Sequence, residues 1–265
     1  MGGGSRVVEL DEGEIAYEQA GEGPPLLLLH GAYADSRDWA PQLETLAADF
    51  TVIAWDAPGC GHSFDPPPDL GLHGYADCVM AFVEALGLER PHLGGLSFGA
   101  GLALEVFNRH PRLPATLVLA SAYAGWAGSL GREAAERRRA EFLRNADRPI
   151  DEVVREFSDT LFDASAPDSV VASTAELMRE TRPAGIRAMA NALADADLRE
   201  VLPRIDVPTL LVYGENDRRS PVAIGRDLHA AIAGSALVVV DGAGHAVNLE
   251  APERFDEALR RFLEP

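Results

Sequence analysis

Ser97 stands in the run Gly95-Leu96-Ser97-Phe98-Gly99, and a glycine two residues to either side of a serine is the spacing of a tight strand-to-helix turn that lifts a hydroxyl off the end of a sheet. A Cβ at Gly95 or Gly99 is expected to collide where strand and helix approach one another. A serine hydroxyl is a weak nucleophile at neutral pH, so chemistry there needs a histidine within hydrogen-bond reach and a carboxylate to orient it. Both stand just beyond apolar strand-like runs: Asp217 in Gly214-Glu215-Asn216-Asp217, and His245 in Asp241-Gly242-Ala243-Gly244-His245. Glu215 and Asp241 compete with Asp217. Asp241 closes its strand only four residues before His245, which favours a structural role, and Glu215 takes the part of Asp217 only if its loop turns differently. None of the other six histidines has a matching strand-end setting; His62, the nearest rival, is read as structural within its loop.

Elements to hold these residues are legible on either side. Residues 6–10 and 14–20 alternate as an edge hairpin around Asp11-Glu12-Gly13. The uninterrupted apolar runs at 26–30, 51–55, 91–96, 115–120, 208–213 and 236–240 read as strands buried on both faces, hence as a mostly parallel sheet. Helices are expected at 39–48, at 75–86, where Val79, Phe82, Val83 and Leu86 form a stripe ending at Gly87, and at 100–109. Between Tyr123 and Asp206 only helical patterns occur, broken by Pro149, Pro167, Pro183 and Pro203. A helical cap over the strand ends is expected there rather than a long loop. The chain therefore divides into core 1–122, cap 123–206 and core 207–265, with no internal repeat.

Composition narrows the chemistry. The 265 residues suffice for one α/β domain with an insertion. A net charge of −19 from 42 acidic and 23 basic residues argues against nucleic-acid or anionic-membrane partners. All the basic residues are arginine, so Schiff-base and P-loop lysine chemistry are excluded. Cys60 and Cys78 lack C-x-x-C spacing and are expected to be reduced, Cys60 as a small filler. No ligand-spaced His/Asp cluster suggests a metal, and no G-x-G-x-x-G follows the first strand to suggest a nucleotide or flavin. Residues 1–5 lack the cationic and apolar regions of a signal peptide, no apolar run spans a membrane, and a cytoplasmic location is expected.

His30-Gly31-Ala32, the Gly-rich stretch 56–63, the Ser97 turn and the Asp217 and His245 loops follow one another in an order that closely resembles the α/β-hydrolase family, over nearly the whole chain from about Val7. The resemblance implies an eight-stranded, mostly parallel sheet with helices on both faces and an inserted helical cap. It also implies a triad of Ser97, Asp217 and His245, an oxyanion hole from the backbone N–H groups of Ala32 and Phe98, and no cofactor. The small-molecule substrate implied is a small, largely apolar ester or lactone cleaved through an acyl-enzyme, as in enol-lactonases and bacterial carboxylesterases. A serine at the turn sets the chain apart from dehalogenases and epoxide hydrolases, which carry aspartate there. Carbon–carbon-bond hydrolases and cofactor-free haloperoxidase-like perhydrolases share the same triad and stay open, as does a non-catalytic ligand-binding role.

Among the large apolar cap residues, Trp126 and Phe142 are read as substrate-binding. In the cluster Arg137-Arg138-Arg139, Arg139 falls nearest the stripe of Ala135, Phe142 and Ala146 and is the one expected to hold a substrate carboxylate. The alternative is a solvated face in which it pairs with Glu136 and Glu141.

Overall fold

The apolar runs pair into a single eight-stranded sheet in the computed structural model, which describes residues 5–263. The glycine-rich start at residues 1–4 lies outside the described residues. The strands are β1 (Arg6–Leu10), β2 (Gly13–Ala20), β3 (Pro25–Leu29), β4 (Thr51–Trp55), β5 (His92–Leu96), β6 (Thr116–Ala120), β7 (Thr209–Gly214) and β8 (Ala236–Val240), in the order β1-β2-β4-β3-β5-β6-β7-β8. The polar hairpin β1/β2 is antiparallel and forms one edge; β2 also meets β4 antiparallel, and every pairing from β4 to β8 is parallel.

Alternation of side chains along each strand sorts the apolar residues onto two faces. Leu27, Leu29, Ile53 and Trp55 point to one core with Val79 and Phe82 of α2 (Gly71–Ala85) and Val106 of α3 (Phe98–Arg109), after α1 (Ala40–Thr45) in the chain. Leu26, Leu28, Val52 and Ala54 point to the other, with Leu43 of α1. The chain continues with α4 (Trp126–Leu130), α5 (Arg132–Asn145), α6 (Ile150–Leu161), α7 (Asp168–Glu180) and α8 (Pro183–Asp195) between β6 and β7, then α9 (Val222–Ala231), α10 (Val247–Glu250) and α11 (Pro252–Leu263). Phe255 and Leu259 of α11 complete the second face. No described helix is long and apolar enough to cross a membrane.

The five helices between β6 and β7 are fastened to the sheet at several points. At the neck, Leu198 N–H donates to the Ala124 carbonyl at 2.9 Å, and Gly125 has a φ of 71°, where a Cβ would lie 2.1 Å from the Ala196 oxygen. On the far side, Gly59 and Gly185 touch backbone to backbone, with a Gly59 Cβ only 2.4 Å from Gly185 Cα. Arg182 adds an ion pair to Asp65 at 2.6 Å and a bond to the Ser63 carbonyl at 2.6 Å.

Two helices begin earlier than their apolar stripes indicate, α2 at Gly71 and α3 at Phe98. For α3 the reason is geometric: the turn has no linker, and the residue after Ser97 is already helical. The glycines around it are dictated by contact. A Cβ on Gly95 would sit 2.3 Å from Gly99 C, whereas one on Gly99 would sit 2.0 Å from the Leu29 carbonyl oxygen of β3. The Gly99 restriction thus comes from the neighbouring strand rather than from Gly95. Neither obstacle is a flexible side-chain end, so Gly99→Ala is expected to destabilise the fold by about 3 kcal/mol. Denaturant unfolding checks this, and an unchanged midpoint contradicts it.

Candidate active site

Ser97 carries φ 54° and ψ −105°, outside the regions that L-residues ordinarily occupy. Such strain persists only where the surroundings enforce it. Here the parallel pairing of β5 with β3 and β6, the Ser97 N–H bond to the Ala120 carbonyl at 2.9 Å and the immediate start of α3 do so. Three of the four non-glycine residues with left-handed φ among those described, Tyr33, Ser97 and Ser121, follow strands β3, β5 and β6. Ser97 Oγ has no hydrogen-bond partner among the described residues, and it shares a cavity with His245.

Asp217 and His245 are brought together by adjacent parallel strands. Their loops leave the same ends of β7 and β8, and His245 Nδ1 lies 2.8 Å from Asp217 Oδ2 and 3.0 Å from Oδ1. Asp217 Oδ1 also accepts the N–H groups of Arg219 and Ser220, each at 2.8 Å. Burial works to raise the Asp217 carboxyl, but the adjacent imidazole and these N–H donors outweigh it and hold the pKa below the ordinary carboxylate value. Glu215 accepts from Gly242 N–H at 3.2 Å, and the exposed Asp241 carboxylate lies 3.5 Å from Arg254. His62 is exposed, with its N–H bound to Asp56.

The histidine loop is held from both layers. His245 N–H donates to the carbonyl of Leu161, the last residue of α6, at 2.8 Å, and Ser121 Oγ donates to the His245 carbonyl at 2.9 Å. Glu250 Oε2 accepts from Gly244 N–H at 3.0 Å and from Asp163 N–H at 2.8 Å, so one carboxylate ties this loop to the end of α6. Neither Ser121 nor Glu250 was signalled by its sequence spacing, because both act through backbone groups that only the fold brings near.

Opposite the serine, the loop after β3 is oriented by His30. Ala57 N–H donates to His30 Nε2 at 3.0 Å, which leaves Nδ1 protonated and donating to the Gly31 carbonyl at 2.7 Å. Burial lowers the His30 pKa and keeps this neutral tautomer. Ala32 lines the cavity, and Phe98 supplies a first-turn amide of α3, which has no partner within its helix. Both thiols are buried, and burial pushes Cys60 well up and Cys78 to about 11, so neither supplies thiolate at neutral pH.

The cavity is small, about 40 Å³, and mostly apolar on the insertion side, where Trp126 and Phe142 both line it. Arg139 does not. It pairs with Glu136 at 2.6 Å and Asp195 at 3.2 Å, away from Ser97, which corrects the expectation that it holds substrate. One residue of helical rotation decides this: the side chain reaching the cavity is Arg138, joined there by Arg219 from the β7 loop. Arg219 belongs to no motif of its own, and its place two residues beyond Asp217 is the only signal of it in the sequence.

Asp38 also lines the cavity, 4% exposed, and burial together with the nearby Asp35 raises its pKa from 3.8 to about 7. Between these values the folded chain keeps a proton that the unfolded chain releases, so stability falls as pH rises through that window. Asp38→Asn is expected to leave stability at pH 4 nearly unchanged and to raise it at pH 8 by up to about 4 kcal/mol. Unfolding midpoints at the two pH values test this, and equal effects at both contradict it.

A mostly parallel sheet, a strained serine at the end of β5 and an acid–histidine pair after β7 and β8 define an α/β-hydrolase architecture. A profile of the alpha/beta hydrolase fold family matches residues 24–252, and the chain belongs to that family. It is 29% identical to (E)-2-((N-methylformamido)methylene)succinate hydrolase of Acinetobacter baylyi, over 98% of each chain. It is 29% identical to 3-oxoadipate enol-lactonase 1 of the same organism, over 91% of this chain and 88% of that protein. In structure it is similar to a thermophilic esterase from Thermogutta terrifontis, solved with malate bound, with a TM-score of 0.90 and 29% identity over 98% of each chain.

Proposed function

We propose that the protein is a serine hydrolase that cleaves small carboxylic esters or lactones through an acyl-enzyme on Ser97. The observation that carries this reading is the 2.8 Å Asp217–His245 contact, made where His245 and the strained Ser97 face one cavity. Ser97 Oγ adds to the substrate carbonyl while His245 Nε2 takes the hydroxyl proton; Asp217 accepts from Nδ1–H and stabilises the imidazolium. The oxygen gains negative charge as the C=O π pair moves onto it, and the N–H groups of Ala32 and Phe98 receive it. Each such donor contributes roughly 10²- to 10³-fold in rate. Collapse of the adduct expels the alcohol, which takes the proton from His245. Water, deprotonated by His245, then adds to the acyl carbon and releases the acid, and the proton returns to Ser97. His30 supports the Ala32 donor by fixing the Gly31 carbonyl.

The small cavity supports a short acyl group, and the related enol-lactonase and esterase support the bond type. Carbon–carbon-bond hydrolases use the same triad, so the test is a panel of 4-nitrophenyl esters, lactones and vinylogous 1,5-diketones. Turnover of esters or lactones is expected, and turnover of the diketones alone overturns the assignment.

A further inference from the structure

Arg138 and Arg219 both line the cavity that contains Ser97 and His245, yet neither forms an ion pair with any described carboxylate. Other arginines of the chain also lack an ion pair, but Arg138 and Arg219 are the two that line this cavity among the described residues, beside the reacting groups. The bonds that Arg138 and Arg219 do make go to neutral oxygens. Arg138 donates to Tyr123 Oη at 2.7 Å and to the Arg219 carbonyl at 3.2 Å; Arg219 donates to Thr160 Oγ1 at 2.8 Å.

Aromatic rings flank both guanidinium groups. Arg219 Cζ lies 3.9 Å from the Phe157 ring centroid, and Arg138 Cζ lies 5.3 Å from that of Tyr123 and 5.5 Å from that of Trp126. Stacking fixes a guanidinium by its face and leaves edge donors available, and each arginine has five N–H groups. The two like charges also oppose one another: burial first, then the Arg138 charge, lowers the Arg219 pKa. Asp217 and Glu141 favour the charged form of Arg219 but neither ion-pairs with its guanidinium, and two cations in a partly dry site are costly unless a further counter-charge is supplied. Glu141 and Glu156 face a depression on the other side of the pair, and Glu156 is already engaged by Arg148.

We infer that Arg138 and Arg219 form a carboxylate subsite, so that the preferred substrate is an ester or lactone bearing a second, ionised carboxyl group. A planar carboxylate matches the guanidinium fork. The inference rests on the hydrolase reading for the bond that is broken, but not for the binding of the anion.

The test compares mono-4-nitrophenyl fumarate, whose trans geometry prevents self-cyclisation, with 4-nitrophenyl (E)-4-methylpent-2-enoate, in which an isopropyl group replaces the carboxylate. With each normalised to its uncatalysed rate, wild type is expected to favour the anionic ester in kcat/KM by about 30-fold or more. Arg138→Gln and Arg219→Gln should each lower that ratio by about tenfold, while Arg139→Gln, outside the cavity, keeps it. Calorimetry of Ser97→Ala with succinate should show binding that is lost when Arg219→Gln is added. Turnover of both esters without preference, or succinate binding that is absent or indifferent to Arg219, overturns the subsite and leaves the hydrolase reading standing. Arg219-dependent succinate binding with neither ester turned over supports the subsite and overturns the hydrolase reading.

Discussion

Ser97→Ala is expected to lower turnover of the best ester or lactone by about 10⁶-fold while shifting the melting temperature by no more than a few degrees. The large kinetic effect follows from the place of Ser97 at the strained turn, sharing its cavity with His245; both thiols are buried with raised pKa values, and the sequence contains no lysine. The small stability effect follows from the local geometry. Alanine keeps the Cβ and the strained φ of 54°, and the lost hydroxyl has no hydrogen bond among the described residues. Steady-state rates and thermal unfolding of the same preparation check both parts. A variant that folds normally and keeps more than about a tenth of the activity would falsify Ser97 as the nucleophile.

The second large effect is at the acid. Asp217→Asn retains the shape of the side chain and an oxygen for the N–H groups of Arg219 and Ser220. It removes the charge opposite His245 Nδ1 and favours the wrong imidazole tautomer, for which a loss of about 10⁴-fold in kcat is expected. Glu215→Gln and Asp241→Asn are expected to stay within about threefold of wild type, since Glu215 serves the Gly242 N–H and Asp241 lies at the surface beside Arg254. A comparable loss in Glu215→Gln, with Asp217→Asn active, moves the acid one turn of the loop away.

Much of this arrangement was readable before any coordinates. Strands buried on both faces, such as Leu26 to Leu29, cannot be satisfied except in a covered parallel sheet, and that sheet puts the ends of β5, β7 and β8 side by side. The paired glycines around Ser97 and the strand-end positions of Asp217 and His245 follow from the same constraint. What escaped were contacts whose partners are backbone groups far away in sequence. Nothing near Gly99 announces the Leu29 carbonyl, and nothing near Glu250 announces Asp163 N–H. The arginine cluster shows a different limit. On α5, neighbouring residues differ by about 100° in direction, so a stripe drawn through Ala135, Phe142 and Ala146 favours Arg139, whereas the packing of α5 against α4 and α8 selects Arg138. That packing turned Arg139 to Asp195 and Arg138 to Tyr123.

A covalent serine probe tests the central claim most directly. A fluorophosphonate should react at Ser97 Oγ, forming a phosphorus–oxygen bond and releasing fluoride, with the hydroxyl proton taken by His245. Peptide mapping by mass spectrometry is expected to find a single adduct on the Ser97 peptide of folded wild type, slowed by Asp217→Asn and absent in Ser97→Ala. Folded wild type that hydrolyses esters yet carries no adduct, or carries it on another residue, contradicts the account.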